Sequence, residues 1–264
     1  MSGKLIFFDI DGTIIDWTGY IPESAIRAIH ASRAEGNLCV INTGRPYSHI
    51  DPRVKAIGFD GFVCSCGQHL VLNDEVISHV DFEPELGREI IKEARRCRMD
   101  VVYEAEHGIW FDMTHDNELE IVSATRDQFA QRGFNVNQSV DTPDFRFDKL
   151  CAFVREDSDT KPFLTFMEER GSIIYREGSM LEITRRGYSK ESGLKQMIAL
   201  LGVSMEDCYA IGDSTNDLPM LRSVPHSVAM GNAPDEVKAA AEYVTLPLHE
   251  DGIKVALQHY QLIL

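Results

Sequence analysis

Short, wholly apolar runs near the two ends of the chain constrain its fold more than any other feature. They lie at residues 5–8, 38–41 and 208–211, and polar residues with a glycine follow each of them at once. Four apolar residues in a row are typical of strands that are buried on both faces, as in parallel sheets covered by helices. Helical patterns at 22–31 and 190–201 accompany these strands. The sequence therefore predicts an α/β fold with a Rossmann-like, three-layer, parallel-sheet core.

The middle of the chain has a different pattern. Paired short runs at 101–104 and 109–112, and again at 172–175 and 180–184, predict antiparallel hairpins. Asn117 and Glu120 have capping-box spacing, which predicts a helix from there to residue 132. We therefore expect an inserted α+β cap domain at residues 83–184, within a catalytic core formed by residues 1–82 and 185–264.

The composition and net charge of the chain disfavour some classes of binding partner. The 264 residues carry a formal net charge of -16, so their surface repels nucleic acid and anionic membranes. No apolar run approaches the roughly 20 residues of a membrane helix, and the start is too polar for a secretory signal. The six cysteines are scattered and indicate small buried side chains in a reducing compartment. We expect a cytoplasmic protein, a monomer or weak dimer, without nucleic acid or membrane partners.

Acidic residues follow the predicted core strands. Asp9 and Asp11 come after the first strand, and Asp213 and Asp217 come after the strand at 208–211. In open α/β sheets the carboxyl ends of the strands form the ligand site, so these four carboxylates are expected at one edge. An Asx turn at Gly12 would explain the first pair but not the second. Crowded carboxylates favour a hard cation such as Mg²⁺, with Asp9 and Asp213 as direct ligands and the Asp11 carbonyl as a third.

Four groups of residues, taken together, resemble the signature motifs of the haloacid dehalogenase superfamily. They are Asp9-x-Asp11-Gly12-Thr13, Thr43-Gly44-Arg45, Lys190, and Gly212-Asp213-Ser214-x-Asn216-Asp217. Their order is similar to that of the Cof-type branch of sugar-phosphatase-like hydrolases, whose cap lies between the second and third motifs. Two positions depart from the pattern of that branch. Glu191 follows the lysine where glycine is usual, and Cys66 precedes Gly67 where asparagine is usual.

The resemblance implies a role for each motif residue. Asp9 would be the nucleophile that forms an aspartyl-phosphate, and Asp11 the general acid and then the base. Thr43 and Lys190 would complete the catalytic set, and Asp217 would bind the metal through water or orient Lys190. The candidate phosphate-binding residues are Ile10, Gly44, Arg45 and Asn216, and pairing with an acid is the alternative for Arg45. The candidate Mg²⁺ ligands are Asp9, Asp11, Asp213 and Asp217.

The implied activity is Mg²⁺-dependent hydrolysis of a small phosphorylated metabolite. Sugar phosphates are the first expectation, followed by phosphorylated cofactors such as pyridoxal or flavin phosphates. A phosphomutase with the same motifs, and a non-catalytic regulator that is phosphorylated on Asp9, remain alternatives. A nucleotide-binding module is disfavoured, because neither a P-loop nor a G-x-G-x-x-G motif follows a predicted strand.

Overall fold

The computed structural model describes residues 3–112 and 119–264, which divide into two compact units. The first unit comprises Met1–His79 and Ser189–Leu264, and the second comprises Val80–Tyr188. The second unit is therefore an insertion in the chain between two segments of the first. Asn117, the first residue of the predicted capping box, lies outside the described residues. The assignment of residues 1–82 and 185–264 as catalytic core and of 83–184 as cap stays a prediction.

Strands and α-helices are interspersed along the described parts of the chain. The strands are β1 (Leu5–Phe8), β2 (Leu38–Asn42), β3 (Gly61–Cys64), β4 (His69–Leu72), β5 (Glu75–His79), β6 (Asp100–Ala105), β7 (Gly108–Phe111), β8 (Lys149–Phe153), β9 (Gly171–Tyr175), β10 (Met180–Arg185), β11 (Cys208–Gly212), β12 (His226–Ala229) and β13 (Tyr243–Val244). The α-helices are α1 (Glu23–Ala34), α2 (Pro52–Lys55), α3 (Pro84–Arg96), α4 (Glu120–Gln131), α5 (Thr160–Glu168), α6 (Lys190–Leu201), α7 (Leu218–Ser223), α8 (Asp235–Ala240) and α9 (Gly252–His259).

One mixed sheet forms the centre of the first unit. Among the described residues its order is β13-β12-β11-β1-β2-β3-β4-β5, and the pairs from β13 to β3 are parallel. The pairs β3–β4 and β4–β5 are antiparallel, so the sheet is wider than the predicted parallel core. The reason is a two-residue hairpin turn at Asn73 and Asp74, whose φ angles of 50° and 65° suit a primed turn. An Asn-Asp pair between two apolar runs was the signal for it.

The central strands of the core sheet are buried on both faces, as their apolar runs predict. Along β1, Ile6 and Phe8 pack on one face and Leu5 and Phe7 on the other, and none of the four is exposed. Side chains of α1 and α9 join the first cluster, and side chains of α6, α7 and α8 join the second. Helices thus cover both faces, and the predicted Rossmann-like three-layer core is confirmed.

The second unit is built on an antiparallel sheet. Its described strands have the order β7-β6-β8-β10-β9, and all the neighbouring pairs are antiparallel. Residues of α3 and α5 pack with one face of this sheet, and Val122 of α4 packs with the other. The predicted hairpins β6–β7 and β9–β10 are present. The inserted α+β architecture is therefore confirmed.

Two expectations from composition also concern the fold. All six cysteines are buried and carry free thiols, as their scattered positions predict. Burial raises the pKa of the Cys39 thiol to about 12 and that of Cys208 to about 11, so these thiols are unreactive at neutral pH. Within residues 3–112 and 119–264, no helix is long and apolar enough to span a membrane.

The N-terminus of α6 is fixed at a defined position against β3 and the turn that follows it. Ser189 and Ser192 form a reciprocal capping box, in which each hydroxyl bonds the other residue's backbone. Gly193 lies so close to its neighbours that an added Cβ would be 2.4 Å from Val63 Cγ1 and 2.6 Å from Gly67 Cα. The glycine therefore allows a close approach that places the first helical residue, Lys190.

Replacing Gly193 with alanine should destabilise the protein, although alanine is the better helix former. The added methyl group collides with Gly67 backbone, and such overpacking costs about 1–3 kcal/mol. Urea unfolding of Gly193→Ala, compared with the wild type, measures the change. Gln196→Ala, at an exposed position of the same helix, serves as the control and should stay within about 0.5 kcal/mol. A Gly193→Ala protein as stable as the wild type would contradict the close approach.

Candidate active site

Three neighbouring parallel strands bring the predicted residues together. In the order β11-β1-β2, Asp213 follows the first, Asp9 the second and Thr43 the third. The Asp9 backbone N–H donates to the Ile211 carbonyl at 2.9 Å, which continues the strand pairing to the last residue before the loop. Because all three strands end at the same edge, their loops converge, as the sequence predicts.

A buried ammonium group links two of the carboxylates. Lys190 Nζ donates to Asp9 Oδ1 at 2.7 Å and to Asp217 Oδ1 at 2.6 Å. Lys190 is 1% exposed, Asp9 4% and Asp217 0%. Burial by itself lowers the pKa of Lys190, but the charges of Asp217 and Asp9 outweigh it and leave the pKa raised. Lys190 is therefore a fixed cation, not a proton donor, at neutral pH.

Asp9, Asp213 and Asp217 form a carboxylate cluster. One oxygen of each lies within 4.8 Å of the others. Burial, together with the neighbouring charges, raises the pKa of Asp9 from 3.8 to about 7 and that of Asp213 from 3.8 to about 8. Crowded hard oxygen donors with raised pKa values suit a divalent cation, whose charge would favour their ionised form. The chemistry of this donor set fits the predicted metal site.

Asp217 also shapes the loop after β11. Its Oδ2 accepts hydrogen bonds from the backbone N–H groups of Asp213 and Ser214, both at 3.0 Å. One carboxylate oxygen thus holds the loop while the other holds Lys190. The orienting role of Asp217 toward Lys190 stays a prediction, and so does metal binding through water.

Gly12 permits the loop after β1 to approach Asp213. Its φ is +78°, and a Cβ at this position would lie 2.1 Å from Asp213 Oδ2. Thr13 Oγ1 donates to Asp213 Oδ1 at 3.2 Å, and Asn232 Nδ2 donates to the Gly12 carbonyl at 2.9 Å. Thr13 and Asn232 were given no role by the sequence analysis, although Thr13 belongs to the first motif.

Asp11 pairs with Arg45, apart from the carboxylate cluster. Arg45 Nε donates to Asp11 Oδ2 at 2.7 Å and Nη2 donates to Oδ1 at 2.6 Å. Arg45 Nη1 also donates to the His49 carbonyl at 3.2 Å. Both side chains are about a quarter exposed, at 27% and 25%. Phosphate binding by Arg45 stays a prediction, and so does metal binding by Asp11.

The remaining predicted residues lie in the same loops. Thr43 is buried, and its Oγ1 accepts a hydrogen bond from the Arg45 backbone at 3.2 Å. Gly44 lies between these two residues and is buried. Ile10 packs its side chain in the core, so a contact with phosphate would come from its backbone N–H. Asn216 is 7% exposed, and its Oδ1 accepts from Ser214 Oγ at 2.8 Å.

The two departures from the motif pattern are accommodated locally. The Glu191 carboxylate accepts a hydrogen bond from Lys195 Nζ at 2.5 Å, one turn further along α6. Its charge is thus paired on the helix surface. Cys66 is buried with a left-handed backbone (φ 53°), and its N–H donates to the Thr43 carbonyl at 3.0 Å. This backbone hydrogen bond ties the turn to the site.

The family is decided by a match over nearly the whole chain. A family model for haloacid dehalogenase-like hydrolases matches residues 6–257. The chain belongs to this family. YkrA of Bacillus subtilis (strain 168), provisionally named a phosphatase, is 30% identical over 264 residues and 100% of both chains. The phosphoglycolate phosphatase of Methanothermobacter thermautotrophicus is 26% identical, over 97% of this chain and 98% of its own.

Solved structures of this family have the same fold. The HAD subclass IIB sugar phosphatase BT4131 matches with a TM-score of 0.84 and 29% identity, over 98% of this chain and 100% of its own. The predicted superfamily is therefore confirmed, and so is the enzyme class, a phosphatase of the HAD hydrolase type.

Removing the Asp213 carboxylate should stabilise the metal-free protein at higher pH. A carboxyl group whose folded pKa is raised adds stability below its unfolded pKa, near 3.8, and this stability is lost as pH rises through the folded value of about 8. In EDTA, the melting temperature of Asp213→Asn minus that of the wild type should grow between pH 5 and pH 8.5 by about 3 °C or more, which corresponds to about 1 kcal/mol.

Differential scanning fluorimetry across this pH range makes the measurement. Mg²⁺ added to the wild type should reduce the difference, because a cation favours the ionised carboxylates. If the difference in melting temperature between Asp213→Asn and the wild type stays constant with pH, the raised pKa of Asp213 is contradicted.

Proposed function

We propose that this enzyme hydrolyses small phosphomonoesters in a Mg²⁺-dependent reaction through an aspartyl-phosphate on Asp9. The observation that carries the proposal is the buried Lys190 between Asp9 and Asp217, with Asp213 beside them. Three ionised carboxylates and one ammonium group leave two negative charges, which is the complement of a divalent cation. A phosphate ester needs this arrangement, because its own negative charge repels a carboxylate nucleophile.

The metal is proposed to be held by Asp9 and Asp213, with Asp217 in support and the Asp11 carbonyl as a further ligand. Bound there, Mg²⁺ would neutralise the crowded carboxylates and polarise the phosphoryl oxygens. Lys190 supplies the fixed positive charge of the protein itself. Since Lys190 holds Oδ1 of Asp9, Oδ2 is the oxygen directed to attack.

In the first step, Asp9 Oδ2 attacks phosphorus in line with the leaving oxygen. The new bond is the acyl phosphate, and the bond from phosphorus to the leaving oxygen breaks. Asp11 gives its proton to the leaving oxygen. In the second step, Asp11 takes a proton from water, the water oxygen attacks phosphorus, and the Asp9 carboxylate departs with release of inorganic phosphate.

The Asp11–Arg45 pair must open during this cycle. Both oxygens of Asp11 accept hydrogen bonds from the guanidinium, so neither is directed at a leaving group while the pair persists. A phosphate ester offers Arg45 alternative acceptors, which would release Asp11 and give Arg45 its proposed role in binding phosphate. Thr43, the backbones of Ile10 and Gly44, and Asn216 are proposed to hold the remaining phosphoryl oxygens.

The proposed substrate is a sugar phosphate. Support comes from the solved relative, which is named a sugar phosphatase. The relative named a phosphoglycolate phosphatase supports a small phosphomonoester in general. We also propose that residues 83–184 act as the cap that contributes specificity, with 1–82 and 185–264 as the catalytic core. Lid domains of this kind exclude water and select the leaving group.

Phosphate release from a panel of esters tests the reaction and the substrate class. The panel contains sugar phosphates, phosphoglycolate, pyridoxal and flavin phosphates, nucleotides and p-nitrophenyl phosphate, each with Mg²⁺ and with EDTA. We expect release with Mg²⁺ only, with sugar phosphates ranked first by kcat/KM. Asp9→Asn is the matched control and should lower kcat by a factor of about 10⁴ or more, because a catalytic nucleophile is lost. Release that persists in EDTA or in Asp9→Asn would contradict the mechanism.

The loss of rate caused by Asp11→Asn should depend on the leaving group. General acid–base catalysis contributes about 10² to 10⁴ in rate, and a p-nitrophenolate leaves without a proton whereas a sugar alkoxide does not. We therefore expect Asp11→Asn to release p-nitrophenolate in a burst of one equivalent per enzyme, followed by slow turnover, and to show no burst with sugar phosphates. Rapid-quench kinetics makes the comparison. An equal loss on both esters in the first turnover would remove Asp11 from the acid role.

A further inference from the structure

A buried asparagine at the end of β2 has no role in the proposed reaction. Asn42 is 0% exposed. By strand alternation it lies on the same side of the sheet as Val40, whose cluster includes Leu194 and Met197 of α6. An amide is a costly residue at such a position, because a buried polar group without a partner destabilises the fold. Its contacts show what it does there.

Only the donor side of the Asn42 amide is matched within the described residues. Nδ2 donates to the Lys190 carbonyl at 2.9 Å and to Met220 Sδ at 3.2 Å. Oδ1 is buried and has no hydrogen-bond partner among the residues that the structure describes. An apolar side chain would avoid this unmatched acceptor. The two hydrogen bonds that Nδ2 donates thus explain why an amide occupies this position. The stronger of the two is the bond to the Lys190 carbonyl.

The Lys190 backbone is therefore tied down from β2 as well as from its own helix. The capping box of Ser189 and Ser192 fixes the first turn of α6. The bond from Asn42 links this turn to the strand that carries Thr43 at its end. From this anchor the side chain of Lys190 reaches Asp9 and Asp217, at 2.7 and 2.6 Å.

We propose that Asn42 is a positioning residue, which sets the place of the Lys190 ammonium group through its hydrogen bond to the Lys190 carbonyl. This inference rests on the proposed function of Lys190. The proposed reaction gives Asn42 no contact with substrate or metal. Displacement of a catalytic group by about 1 Å can cost about 10²-fold in rate, so loss of this bond should appear in kcat. KM should change less, because Lys190 acts on charge that develops during phosphoryl transfer.

Two substitutions separate the hydrogen bond from packing. Asn42→Ala removes the donor and leaves a cavity, whereas Asn42→Leu removes the donor and keeps the branched shape of the side chain without leaving a cavity. With p-nitrophenyl phosphate and Mg²⁺, both should lower kcat by about 10-fold to 100-fold, with KM within about threefold. Val40→Ala, on the same face of β2, is the matched control and should lower stability but not kcat. A loss of kcat in Asn42→Ala but not in Asn42→Leu would overturn the inference, as would an equal loss in Val40→Ala.

A double-mutant cycle tests whether the effect passes through Lys190. Asn42→Ala is combined with Lys190→Met, which removes the ammonium group. We expect no further loss of kcat from Asn42→Ala in that background. The same factor lost in both backgrounds would show that Asn42 acts independently and would overturn the inference. A Lys190→Met enzyme with wild-type kcat would instead refute the proposed role of Lys190, so the two failures are distinguishable.

A crystal structure of Asn42→Leu decides the matter if the double variant turns over too slowly to measure. Lys190 Nζ should then lie beyond hydrogen-bonding distance from Asp9 or Asp217. An ammonium group that keeps both bonds, in a variant with reduced kcat, would contradict the inference.

Discussion

The buried ammonium group of Lys190 is the interaction on which the site depends. Removing two carboxylates and an ammonium group from water is costly, and their attraction compensates only when the geometry is good. Here the contacts of 2.6 and 2.7 Å meet that condition. Lys190 donates to Asp9 and Asp217, while burial and the neighbouring charges raise the pKa of the Asp213 carboxyl group to about 8. The site is thus well ordered as a scaffold yet short of positive charge, and this combination favours a cation and a phosphoryl group together.

Most of the surrounding polar contacts serve to keep this arrangement in place. Asp217 divides its two oxygens between Lys190 and the loop backbone, and the small Gly12 lets a second loop come within contact distance of Asp213. Asn232 fastens the Gly12 carbonyl from a third loop. Catalytic geometry must be held to a fraction of an ångström, and loops do this only when their backbones are themselves bonded. The polar groups around the site supply those bonds.

The sequence predicts where the site lies better than it predicts which side chains within the site pair with each other. Asp9, Thr43 and Asp213 follow strands, and the rule that parallel strand ends converge places them without any side-chain detail. The pairing of Arg45 with Asp11 depends on side-chain reach, so the motif left open whether Arg45 meets a phosphate or an acid. Asn42 stands directly before a motif but was given no role, because its partner is a backbone carbonyl 148 residues away. The β4–β5 hairpin was missed because its Asn-Asp turn was not weighed against the parallel pattern.

The central place of β1 in the core sheet affects how the enzyme folds during its synthesis. β1 lies between β2 and β11, and β11 is encoded about 200 residues after it. During synthesis, one edge of β1 has no strand partner until β11 has been made. By then nearly the whole chain has emerged. Pairings so distant in sequence form slowly and leave apolar edges open to aggregation. A truncated or nascent chain would also lack Lys190 and Asp213. On the proposed mechanism, the site is therefore incomplete until the segment that carries Lys190 and Asp213 has docked.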